Sequence, residues 1–325
     1  MHHVDAALCR IDSRGAERFT EFGDPAGGAF WRSALKPFQA LPVVEDGAAE
    51  AFGFGAEQIA IACASHGGRP EHVGRVREMM QALDIDEHDL HCGPHAPYDE
   101  PTALTIACAG EQPGRVHNNC SGKHAAMLAL VAHHGWSPAG YWRFDHPLQR
   151  RIREELTAWI DSEPEGLRWA TDGCGVPTPF QSLREMARAF ARLGSRASAG
   201  EPVPAAVVGA MMQHPELTSS PGREALAVMQ AGAGRLLAKE GAEGVLCVAA
   251  PASGWGLALK VVDGSRRAVG PAVVALLAEQ GLVSDAERAA LGPLAEPELM
   301  GTTGETVGRL KGVVVGDNRG VGEAP

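Results

Sequence analysis

Short apolar runs alternate with segments of helical period along the whole chain, and that alternation leaves room for little besides helices layered on a sheet. Residues 58–64 (QIAIACA) predict a buried strand that runs into the loop Ser65-His66-Gly67-Gly68. Pro70 suits a first helical turn, and Val73, Val76, Met80 and Leu83 then keep one face apolar. Further helices are predicted over residues 124–134, 148–160 and 181–193. Residues 245–250 and 257–262 flank Pro251-Ala252-Ser253-Gly254-Trp255-Gly256 and predict a hairpin. On its second strand Leu257, Leu259 and Val261 share one face, and Ala258, Lys260 and Val262 the other. A helix is predicted around residues 271–280, and the Gly-rich residues 301–325 predict a terminal strand with a loose tail. There is no repeat and no linker, so a single domain over residues 1–325 is expected.

Composition removes several function classes. The formal net charge is −11 and no Lys/Arg block reverses it locally, which argues against a nucleic-acid partner. The start, Met1-His2-His3-Val4-Asp5, has no basic stretch leading into an apolar core, and no run reaches the roughly 18 apolar residues of a membrane span. A cytoplasmic location is the expectation. The seven cysteines are odd in number and widely spaced, unlike a disulfide framework. Cys63, Cys108 and Cys247 lie in apolar stretches and are expected in the core. Neither G-x-G-x-x-G nor a Walker pattern occurs, and H-E-x-x-H is absent.

Four places carry residues suited to chemistry. Ser33-Ala34-Leu35-Lys36 sets a hydroxyl and an amine one helical turn apart, and Pro37 places the pair at a helix start. A lysine whose charged form is disfavoured can take the hydroxyl proton; a chance match of two common residues is the alternative. Ser65 precedes two glycines that allow a ligand close to the backbone, or it simply caps a turn. Lys260 stands on an otherwise apolar strand face, so it is either an active-site amine or an edge residue facing water. Cys120, Lys123 and Cys174 supply two sulfurs and an amine that could hold Zn²⁺, with Asp172 close enough in sequence to support them. Buried thiols beside a solvated lysine are the alternative there.

These motifs occur together and in order: Arg32-Ser33-Ala34-Leu35-Lys36-Pro37-Phe38-Gln39-Ala40, Ser65-His66-Gly67-Gly68, Cys92-Gly93-Pro94-His95, the stretch His117 to His124, Asp172-Gly173-Cys174-Gly175-Val176-Pro177, and Gly256-Leu257-Ala258-Leu259-Lys260. The set resembles the rhizobial-type, thermolabile class 3 L-asparaginases, also called asparaginase II, from about Ala29 to Asp263 and onward. The resemblance implies an α/β fold like that of serine β-lactamases and glutaminases, with helices packed on a mostly antiparallel sheet. It implies two Ser–Lys tandems in one pocket, Ser33 with Lys36 and Ser65 with Lys260. It also implies zinc on Cys120, Lys123 and Cys174 with Asp172 beside them, L-asparagine as substrate, and a homodimer. Members carry an additional strand before the position of Val4, so the resemblance implies a sheet short of one edge strand. A glutaminase or another β-lactamase-like amidohydrolase is the nearest rival, although S-D-N and K-T-G are missing. A non-catalytic zinc- or ligand-binding protein on the same scaffold is the rival of another class.

Overall fold

The computed structural model describes residues 1–162 and 166–315. They form two compact units, each assembled from separate stretches of chain: residues 1–34, 181–195 and 224 onward in one, residues 35–180 and 196–223 in the other.

The first unit is built on a five-stranded antiparallel sheet. Its strand order is Glu17–Phe22, Val4–Ile11, Trp255–Val261, Val245–Ala250, Leu237–Gly241. The predicted hairpin is present: Val245 stands opposite Lys260 and Ala250 opposite Trp255. Two glycines let it form. Gly254 turns the chain at φ 71°, and a Cβ there would lie 2.2 Å from the Ile11 carbonyl oxygen. At Gly256 a Cβ would lie 2.1 Å from the carbonyl oxygen of Ala187. Only a bare backbone lets the helix Leu183–Ser198 press this closely on the sheet. The helix Val269–Glu279 packs on the same two central strands. Trp31 and Phe190 are wholly buried in this unit, stacked with centroids 6.3 Å apart. Each removes enough apolar surface from water to contribute about 2–3 kcal/mol. The terminal region pairs Glu298–Met300 with Thr306–Arg309. The end of the predicted tail, residues 316–325, lies outside the described residues.

The second unit is mostly helical. Its helices include Lys36–Glu45, Ala56–Ala62, Pro70–Ala82, Ser121–His133, Pro147–Thr157 and Pro202–Gln213. One sequence expectation fails here. Residues 58–64 are not a strand; they belong to the helix Ala56–Ala62 and the turn that leaves it. A short apolar run has no period that separates strand from helix, and the alanines between the isoleucines favour the helix. Gln58 helps start it by accepting the Gly55 N–H on its side chain at 3.1 Å. Ala60 packs with Ala210 and Leu217, and Ile61 is fully buried. The neighbouring helix Ser121–His133 crosses this one at Gly122, where a Cβ would lie 2.3 Å from the Ile61 carbonyl oxygen. Cys108 is a second correction. It is exposed, because it ends the helix Glu100–Cys108, in which no residue is buried. Cys63 and Cys247 are in the core as expected.

Candidate active site

Lys36 is the first residue of its helix, reached through the one-turn 3-10 segment Arg32–Leu35, with Pro37 in the first helical turn. The side chain is 1% exposed. Its amine donates to Ser65 Oγ at 3.1 Å, to the Asn119 carbonyl oxygen at 3.2 Å, and to the carbonyl oxygen of Ala64. Among the described residues these three oxygens are its hydrogen-bond partners, and none is a carboxylate. Ser33 lies in the 3-10 segment, partly exposed, and is not one of them.

Ser65 follows the helix Ala56–Ala62 and is 2% exposed. Its N–H donates to the Thr218 carbonyl oxygen at 3.1 Å. The loop then turns through Gly68 at φ 78°, where a Cβ would lie 3.0 Å from the His117 carbonyl oxygen. Gly67 faces Ser220 so closely that a Cβ would lie 2.6 Å from Ser220 Oγ. Asn119 is fixed in turn by His95, whose Nε2 accepts the Asn119 N–H at 3.0 Å. The two polar segments, residues 64–68 and 116–123, are thus joined through the amine of Lys36.

The cysteine set also assembles. Cys120 caps the helix Ser121–His133, and Lys123 lies in its first turn. Cys174 comes from the turn between the paired strands Arg168–Thr171 and Pro177–Gln181. That turn is closed by the Asp172 backbone, which bonds both Gly175 and Val176 at 2.8 Å. The Lys123 amine is 2.8 Å from Cys174 Sγ, and Asp172 Oδ2 is 3.9 Å from the same sulfur. The Cys120 thiol and then the Lys123 ammonium hold the Cys174 thiol well below its usual range, against the effect of burial. Cys120 is pushed up to about 12 by its hydrogen bond to Cys174 and by burial. Among the described residues no three His, Cys, Asp or Glu side chains are grouped to hold a metal. The set here reaches three donors by counting the lysine. Two sulfurs and an amine, buried together, could hold a soft divalent ion such as zinc only with Lys123 deprotonated, since, against the effect of burial, Cys174, Cys120 and Asp172 favour its ammonium form.

Lys260 is placed differently. It is partly buried on the strand Trp255–Val261, and its amine donates to the Val261 carbonyl oxygen. Burial lowers its pKa, while Glu243, Asp263 and Asp5 oppose that shift. The sequence reading passed over another lysine of the same unit, Lys239. It is fully buried on the edge strand Leu237–Gly241 and donates to the Glu240 carbonyl oxygen at 3.2 Å. That strand runs beside the segment that carries Ser33. A Cβ at Gly241 would lie 2.9 Å from the Trp31 carbonyl oxygen, and Arg32 pairs with Glu243 at 2.6 Å. The available signal was a lysine following the apolar Leu236-Leu237-Ala238.

Among the described residues no helix is long and apolar enough to cross a membrane. The chain matches the protein family described as L-asparaginase II over residues 1–312. No curated protein matches it.

Proposed function

Because the chain belongs to the L-asparaginase II family, we propose that it hydrolyses the side-chain amide of L-asparagine to aspartate and ammonia by serine chemistry with lysine as the base. The observation that carries this reading is the buried Lys36 amine within 3.1 Å of the Ser65 hydroxyl. An amine held among neutral oxygens has no carboxylate to fix its charge, which suits a group that must give up and regain a proton.

In the proposed reaction the Ser33 hydroxyl attacks the amide carbon and its proton passes to Lys36. Backbone N–H groups at the helix start stabilise the oxyanion. The carbon–nitrogen bond then breaks, the proton leaves with ammonia, and an aspartyl ester remains on the serine. Water attacks the ester, returns the proton to the serine oxygen and frees aspartate. Ser65, hydrogen-bonded to Lys36, relays protons. The same hydrogen bond favours a second reading in which Ser65 attacks; trapping the acyl-enzyme and locating the ester by mass spectrometry separates the two. The second amine is Lys260 in the family-based reading, and the fully buried Lys239 competes with it for that role.

Zinc would be held by Cys120, Lys123 and Cys174, with Asp172 beside them, and would supply a fixed positive charge for binding. A homodimer and a cytoplasmic location complete the proposal.

Ammonia release measured with asparagine, glutamine and a β-lactam side by side tests the reaction. Asparagine is expected to be the best substrate, and no release from it would end the proposal. Ser33→Ala is expected to lower kcat by about 10³-fold or more, and near-parental turnover would remove Ser33 as nucleophile. Of Lys239→Met and Lys260→Met, the one with the larger loss of kcat identifies the second amine. Elemental analysis of Cys120→Ser is expected to show less zinc than the parent.

A further inference from the structure

Lys36 is not alone in joining the Ser65 loop to the start of the helix Ser121–His133. His66 spans the same two segments, and it does so with both ring nitrogens. The Gly68 N–H donates to His66 Nδ1 at 3.1 Å. A peptide N–H can only donate, so Nδ1 must present a lone pair and the proton must sit on Nε2. Nε2 is 2.9 Å from Ser121 Oγ, and the Ser121 hydroxyl donates onward to the Val116 carbonyl oxygen at 2.9 Å. The result is a one-way chain from Gly68 through His66 and Ser121 to Val116, in which every donor has an acceptor.

The surroundings hold the ring in that role. His66 is fully buried, with its ring centroid 5.3 Å from that of His72. His72 is itself fixed, accepting the Arg69 N–H at 3.2 Å and donating to the Glu216 carbonyl oxygen at 2.7 Å. On its other side the loop is confined at Gly68, where a Cβ would lie 3.1 Å from Pro97 Cβ. Burial first, and then the basic neighbours His72 and Lys36, keep the imidazole well below its usual range, in line with the neutral form that the Gly68 bond requires.

We propose that His66, as the neutral Nε2–H tautomer, is the positioning residue for Ser65: it fixes the turn at Gly68 and so aims the Ser65 hydroxyl at Lys36. This rests on the reading that Ser65 takes part in the hydrolysis. The two hydrogen bonds can be removed separately. His66→Gln keeps an amide N–H near the Nε2 position for Ser121 and loses the acceptor for Gly68. His66→Asn keeps an acceptor near the Nδ1 position and loses the donor to Ser121. Ser121→Ala removes the far partner without altering the loop.

In asparagine turnover by the full chain, kcat is expected to fall about 100-fold in His66→Gln, less in His66→Asn, and about 10-fold in Ser121→Ala, with KM within about threefold of the parent. Amide exchange over residues 64–69, followed by mass spectrometry, is expected to speed up at least about tenfold in His66→Gln, since the Gly68 N–H loses its acceptor. Folded His66→Gln with unchanged exchange would overturn the proposal whether or not the parent hydrolyses asparagine. So would an active parent whose three variants keep kcat within threefold, or lose only in KM. A parent that releases no ammonia but whose His66→Gln variant exchanges faster defeats the asparaginase reading and leaves the positioning of the loop supported. Where the His66 variants do not fold, Ser121→Ala decides through kcat: a value within about threefold of the parent overturns the proposal.

Discussion

The helix Lys36–Glu45 has a basic side chain at each end, and the two are accommodated in opposite ways. At its start, Lys36 meets three neutral oxygens, from Ala64, Ser65 and Asn119. At its finish, Arg151 from the helix Pro147–Thr157 meets three carboxylates. It forks onto Asp46 with its closest contact at 2.8 Å, bonds Glu155 at 3.0 Å, and also pairs with Glu45. His134 adds a bond to Asp46 at 2.8 Å, and the Trp159 indole N–H donates to Glu155 at 2.9 Å. A guanidinium forked onto carboxylates is locked in its charge and geometry, which ties one helix to the next. A buried amine among neutral acceptors has no carboxylate to compensate a charge on it. On the proposed function, the two ends of one helix thus separate a group placed for chemistry from a group placed for packing.

Substituting each basic side chain by methionine tests that separation. Lys36→Met fills much of the same volume without charge. It is expected to cut kcat on asparagine by about 10³-fold or more while the melting temperature stays level or rises, because a buried polar group with no carboxylate partner has been replaced by an apolar one. Calorimetry and ammonia release on one preparation suffice. A Lys36→Met protein that melts well below the parent and still turns over would place Lys36 with the structural group. Arg151→Met should behave inversely. It strands Asp46, Glu45 and Glu155 together, and about 2–3 kcal/mol of unfolding free energy is expected to be lost, less than for a wholly buried pair because solvent reaches part of the cluster. Activity per folded molecule should stay within about twofold. A stability loss under 1 kcal/mol would show that the cluster is surface decoration.

The Lys36 end of this helix stands in a sequence motif and the Arg151 end does not. Ser33, Lys36, Ser65, Cys120, Lys123 and Cys174 sit in dense local motifs, which singled them out as candidates, and the structure brings Lys36 to Ser65 and Lys123 to Cys174. The hairpin around Gly254 was legible because strand alternation and turn glycines agree. The strand expected over residues 58–64 failed because an apolar run of that length fits either period, and packing against Ala210 and Leu217 made the choice. Lys239 was missed because Lys239-Glu240-Gly241 after three apolar residues looks like a solvated strand end and carries no local sign of burial. Arg151 and Asp46 lie 105 positions apart, and neither stands in a motif. His66 was visible as a member of Ser65-His66-Gly67-Gly68, but its partner Ser121 is 55 positions away. Local order along the chain singles out candidate groups; contacts between distant segments determine which groups hold them still.

The carboxylates around Arg151 give the smallest and most specific test, because two of them shift in opposite directions. Burial raises the Asp46 carboxyl, but hydrogen bonds from Arg151 and His134 outweigh it and hold the group below its usual range. For Glu155 burial wins, with Glu45 adding to it, over the hydrogen bonds from Trp159 and Arg151, and the carboxyl lies above its usual range. The lowered group contributes stability that is full above its unfolded value near 3.9 and is lost as pH falls through its folded value. The raised group does the reverse: its contribution is full below its unfolded value near 4.3 and is lost as pH rises through its folded value. Urea unfolding from about pH 3 to pH 7 is therefore expected to show two limbs, each about 1 kcal/mol or less in a cluster that solvent partly reaches. Glu155→Gln should flatten the limb above about pH 4.3 and leave the acid limb, whereas Asp46→Asn should flatten the acid limb and leave the other. A Glu155→Gln curve that still declines above that pH as steeply as the parent's would mean that Glu155 is as well compensated as Asp46.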